Sequence, residues 1–80
     1  MNQDLYNTFE TTERVIVIYL IACGCLSHNQ KRNGNKVIFS FKKEEIEYPM
    51  QEYTSGKPAL VDYRLVIFAE NWFNTIIHEI

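Results

Sequence analysis

Apolar and polar positions alternate most clearly over residues 36–42. Val37, Phe39 and Phe41 interleave with Ile38, Ser40 and Lys42, which is the period of two of a strand with one face turned to a core. Just upstream, Asn33 and Gly34 supply a tight turn, because both residue types tolerate positive φ. Residues 25–30 then predict the outgoing strand of the same hairpin. A weaker alternation over residues 5–9 (Leu5, Tyr6, Asn7, Thr8, Phe9) predicts a short first strand.

Longer periods follow elsewhere. Residues 15–23 are almost wholly apolar and rich in β-branched side chains, so propensity alone would allow a buried strand. The punctuation favours a helix. Thr11, Thr12 and Glu13 offer a hydroxyl cap and an acid for the first turn, and Gly24 stands where a C′ residue belongs. Ile46, Met50 and Tyr53 recur at helical spacing over residues 43–53, interrupted by Pro49. Proline lacks the N–H that a helix interior uses. That segment therefore predicts either a kinked helix or a turn ending at Tyr48 with a new helix starting at Pro49. Ser55, Gly56, Lys57 and Pro58 form a loop. Asp62 caps a last helix over residues 63–78, in which Leu65, Phe68, Ala69, Trp72, Phe73, Ile76 and Ile77 recur at spacings of three and four as a buried stripe.

The order β-α-β-β-α-α describes one α+β domain over residues 1–80, with an antiparallel sheet, a basic hairpin and helices packed on one face. Eighty residues bury only a limited core, so association with another chain would add burial that the single chain lacks. The apolar run 15–26 falls short of the roughly 18 residues of a bilayer-spanning helix, and an acidic segment precedes it where a signal peptide would be basic. The chain reads as cytoplasmic, with no membrane partner.

Charge changes this picture in one respect. The net charge is only −2, yet residues 14–43 contain Arg14, Lys31, Arg32, Lys36, Lys42 and Lys43 and no acid. The flanking segments are acidic. Such polarity suits docking. Lys31, Arg32, Lys36, Lys42 and Lys43 are the candidate contacts to nucleic acid or to a partner. Glu44, Glu45, Glu47, Tyr48, Glu52 and Tyr53 form a candidate acidic interface, since tyrosine is enriched where proteins meet.

A helix opened by Thr12 and closed by Gly24, a basic hairpin with Val37-Ile38-Phe39-Ser40-Phe41, Tyr53 three residues before Gly56, and the terminal Asn74-Thr75-Ile76-Ile77-His78 together resemble a family of small bacterial and phage single-domain proteins of unknown function. Pro49 departs from the continuous acidic helix of that pattern. The resemblance implies a compact α+β unit, often carried on mobile elements, and brings no activity, cofactor or catalytic residue with it.

Candidate chemistry is sparse. Cys23 and Cys25 are spaced too closely for a paired zinc ligand set, and only His28 and His78 could complete one. A redox or nucleophilic cysteine wants a C-x-x-C pair or an activating base, so both read as reduced core thiols. No phosphate-cradling glycine motif or nucleophile elbow is present. No catalytic residue, cofactor or metal is expected. The strand at 36–41 is similar to the aromatic strand of an RNA-recognition motif but lacks its glycines, and its phenylalanines are expected in the core rather than stacked on bases. The expectation is a non-enzymatic protein-interaction module or adaptor, self-associating or bound to a host complex. The alternative is a nucleic-acid-binding accessory domain using residues 31–43.

Overall fold

A computed structural model describes residues 7–58 and 60–80. Among these, the elements are β1 (Thr8–Thr11), α1 (Arg14–Ala22), β2 (Asn29–Asn33), β3 (Lys36–Lys42), α2 (Lys43–Thr54) and α3 (Tyr63–Glu79). The strands form an antiparallel sheet in the order β1-β3-β2. This is the α+β arrangement that the pattern predicts. The first strand is observed two to three residues later than its alternation suggests, and Leu5 and Tyr6 lie outside the described residues.

Alternation along β3 sets the two faces. Val37, Phe39 and Phe41 are buried, with Phe39 at 1% and Phe41 at 0% exposure. They form the core with Val17, Leu20, Ile21, Ile46, Ala69 and Phe73. Phe39 stacks on Phe73 with ring centroids 5.2 Å apart and meets Trp72 at 5.7 Å. Burial of this central row explains why the β-branched segment forms a helix: α1 packs beside α3 over the sheet, with Val17, Leu20 and Ile21 in the same core, so packing outweighs its strand propensity.

Helix α1 starts differently from expectation. Glu13 occupies the N-cap without a side-chain bond, and Arg14 opens the helix. The Thr11 hydroxyl accepts the Glu13 N–H at 3.1 Å, which orders the entry one residue before the helix. The exit is a Schellman motif. Gly24 adopts φ 96°, its N–H donates to Ile21 O, and the Cys25 N–H donates to Leu20 O. Cys25 is thereby committed to the helix end, so residues 25–28 are not a strand and β2 starts at Asn29. Across the hairpin Asn33 pairs with Lys36. The turn is therefore Gly34-Asn35, one residue later than expected, with positive φ at Gly34 alone. The shift moves strand partners by two places and leaves every side chain on its predicted face.

Helix α2 runs through Pro49 without a break, which corrects the alternative of two separate helices. A proline orphans the carbonyl four residues earlier, here that of Glu45. The Cys25 thiol donates to that oxygen at 3.3 Å. One turn further on, Tyr19 Oη–H donates to Pro49 O at 2.9 Å and ties α1 to α2. Asp62 caps α3 as expected, its Oδ1 accepting the Arg64 N–H at 2.8 Å.

Candidate interaction surfaces

Sheet register places the basic candidates individually. Lys31 faces the same side as Ile38, and Lys36 and Lys42 share it, so these three lie on the sheet face away from the helices. Arg32 pairs with Val37 and faces the helices. Its Nε donates to Ile80 O at 2.9 Å and its Nη2 to Ile77 O at 2.7 Å. It thus holds the last carbonyls of α3, where a cation also suits the helix dipole. Lys43 is the first residue of α2. The five residues do not form one surface.

Acids interrupt the open face. Glu10 lies between the lysines along it, accepting from the Ser40 hydroxyl at 3.4 Å. Lys42 and Glu44 line one cleft with Asn7, Thr8 and His28. The apolar side chain on this face is Ile38, half-buried, and no aromatic of β3 stands there, because Phe39 and Phe41 point the other way. Among the described residues, Lys31 and Lys36 on that face have no acidic partner.

The acidic candidates divide similarly. Glu44 and Tyr48 fall on the side of α2 opposite buried Ile46, and Glu45 and half-buried Glu52 turn to one flank. Glu47 turns to a flank, in a shallow groove with Phe9, Ile46 and Met50. Tyr53 is half-buried in the α1–α2 seam, its ring 5.1 Å from that of Tyr19, so it is a packing residue and not part of an acidic surface.

Neither cysteine has the setting of a reactive thiolate. Burial pushes both thiols up, against a smaller lowering by the Tyr19 hydroxyl at Cys23; at Cys25, the charges of Cys23 and Glu45 raise it further. Nucleophilic cysteines need the opposite shift. Among the described residues, no group of three or more His, Cys, Asp or Glu side chains converges to hold a metal. His28 and His78 line different clefts. No described helix is long and apolar enough to cross a membrane.

The surface that sequence reasoning missed is on α3. Ala69 and Phe73 are buried and Val66, Trp72, Ile76 and Ile77 half-buried, but Leu65 is 48% and Phe68 63% exposed. This corrects the expectation of one fully buried stripe. Length supplies the reason. Seventeen helical residues run about 25 Å, whereas the five residues of β2 run about 17 Å. Arg32 fixes the C-terminal end of α3 over the hairpin, and Trp72 and Phe73 already lie over Phe39, opposite Gln30 near the start of β2. The N-terminal half of α3 extends past the strand that would cover it. The signal was present in the chain: four consecutive apolar residues, Leu65-Val66-Ile67-Phe68, sweep about 300° of a helix and cannot all face one core.

Leu65, Phe68 and Trp72 form a stripe on the flank of α3 away from α1. On the α1 side, Glu70 pairs with Arg14 at 3.9 Å, and the Arg14 guanidinium lies 5.6 Å from the centre of the Phe73 ring. A shallow apolar groove between the helices there is lined by Val15, Ile18, Val61 and Val66. Comparison with known family models, curated proteins and solved structures finds no match for the chain.

Proposed function

We propose that this protein is a small non-enzymatic interaction module that docks onto another polypeptide through the outer flank of α3. The observation that carries the reading is the exposure of Leu65 and Phe68 beside half-buried Trp72. Large apolar side chains grouped on one face of a small domain mark interaction sites, whereas scattered ones need no explanation. Tryptophan and phenylalanine are also the residues that anchor interfaces. The resemblance to small bacterial and phage domains fits an adaptor acting on a larger host complex in the cytoplasm.

A photo-crosslinking side chain at position 68, introduced into the protein in its native cell, tests the reading. A discrete crosslinked polypeptide at position 68, with none from the same group at exposed Lys57, is the expected result. Equal or absent crosslinking at both positions would reject it.

The nucleic-acid alternative is supported by Lys31 and Lys36 on the open sheet face. It requires affinity for a single-stranded oligonucleotide that falls with salt and is lost in Lys31→Ala/Lys36→Ala. The acids beside Ser40 and Lys42, and the burial of Phe39 and Phe41, weigh toward the protein partner.

A further inference from the structure

We infer that the segment docked at the α3 flank is an extended strand of a partner protein, with acidic and apolar side chains in alternation, added to the open edge of β2. The inference rests on reading that flank as the docking face. Its basis is an edge strand lying beneath an overhanging helix. The two-residue turn Gly34-Asn35 makes Asn33 and Lys36 the hydrogen-bonded pair that closes the hairpin. Alternation along the ladder makes Lys31 and Ile38 the next such pair, and turns the N–H and C=O of Gln30 and Arg32 outward. Among the described residues, no further strand or loop pairs with these outward groups. Such a row of unpaired backbone groups is a template for one more strand.

The helix layer reaches past that edge. Helix α1 packs between α2 and α3, through Tyr19 to Pro49 on one side and Arg14 to Glu70 on the other. Packed helices stand about 8–10 Å apart and neighbouring strands about 4.8 Å, so three helices are wider than three strands. Helix α3 stands at the β2 side, held there by Arg32. Its flank away from α1, with Leu65, Phe68 and Trp72, therefore overhangs the place of a fourth strand. In that strand, residues in register with Gln30 and Arg32 face the helices and meet the flank. Trp72 and Phe68 are about 6 Å apart along α3, the rise of about two strand residues, so alternate apolar side chains match them. The residue in register with Lys31 faces the open side. There Lys31 is exposed and, like Lys36, has no acidic partner among the described residues, which favours a carboxylate opposite it. The same charge disfavours a second copy: the two-fold register that engages both Gln30 and Arg32 sets Lys31 against Lys31. The β1 edge does not compete, since its open face carries Glu10.

NMR titration of the isotope-labelled full chain with the end-blocked peptide Val-Glu-Val-Glu-Val-Glu-Val, N-methylated at its glutamates, tests this. The valine amides, which would face β2, stay free, and the methyl groups stop the peptide from stacking on itself. The expected result is saturable binding with Kd on the order of 0.1 mM. Amide exchange should slow at least about fivefold at Gln30 and Arg32 and stay unchanged at Lys31. Methylating the valines instead, or replacing each Glu by Lys, should weaken binding at least about tenfold. Lys31→Glu and Phe68→Glu should each weaken it about three- to tenfold, with circular dichroism unchanged. No binding at about 1 mM peptide, equal binding of the two methylated peptides, or binding indifferent to Phe68→Glu would overturn the added strand. If the peptide fails and position 68 still crosslinks to a discrete polypeptide, the docking face stands without the strand. If both fail, both readings fall.

Discussion

Cys25 and Pro49 are linked through one carbonyl. Pro49 removes the N–H that would bond Glu45 O within α2, and the Cys25 thiol donates to that oxygen at 3.3 Å. The thiol belongs to the residue that completes the Schellman motif of α1, so the end of one helix repairs the middle of another. An orphaned acceptor beside a new small void costs about 1–3 kcal/mol. Cys25→Ala should lose stability in that range in urea titration. The loss should shrink by at least about 0.5 kcal/mol when Pro49→Ala restores the helical donor. Equal losses in both backgrounds would show that the thiol serves packing alone.

The same burial gives the protein an alkaline sensitivity. Both thiols titrate above their ordinary value of 9.0 in the folded chain. Below that value both are protonated in folded and unfolded chains alike, and their contribution is fully present. As pH rises through the folded-state value the unfolded chain releases its protons first, and stability falls. Denaturation midpoints measured near pH 7.5 and near pH 10 should differ more in the parent chain than in Cys23→Ala/Cys25→Ala, since tyrosine and lysine titration is common to both.

At the start of α3, the Arg64 side chain and backbone N–H hold the Asp62 carboxylate below the usual range. A lowered carboxylate stabilises at neutral pH and loses that effect as the pH falls through its folded-state value. Asp62→Asn should keep the cap and Asp62→Ala should lose it, read as a lower melting temperature in the alanine variant alone.

Arg32 separates two roles that its position in the chain leaves open. If it holds the C-terminal carbonyls of α3, Arg32→Ala should speed amide hydrogen exchange in the last turn of α3 by about tenfold, with α2 unchanged. Arg32→Lys should rescue only in part, because a single ammonium cannot replace the guanidinium fork. Unaltered exchange would return Arg32 to the pool of free surface cations.

Much of the fold is legible in the chain because its local signals agree. The alternation through Val37, Phe39 and Phe41 sets the faces of the sheet. Gly24 ends α1, and Asp62 starts α3, where the patterns place them. The misreadings arise where the answer depends on a distant partner. Pro49 reads as either a kink or a break because nothing in residues 43–53 reveals that Cys25 will donate to Glu45. Residues 25–28 read as strand because the demands of the α1 exit are invisible to alternation. The basic residues stand close together in the chain, but whether they converge in space depends on strand register, which sends Arg32 to the helix side and Lys31 and Lys36 to the other. The α3 flank was hidden by spacing: Leu65 and Phe68 fit a buried stripe by period, and only the reach of α3 relative to β2 leaves them outside.

Hydroxyl-radical footprinting of the chain in its native cells, compared with the purified protein at low concentration, tests the central claim most directly. Phe68, Leu65 and Trp72 should be protected in the cell, while Tyr48 and Leu26, comparably exposed elsewhere, should react equally in both settings. Undiminished oxidation of Phe68 in the cell, or protection confined to Ile38 on the open sheet face, would contradict the assignment of α3 as the working surface.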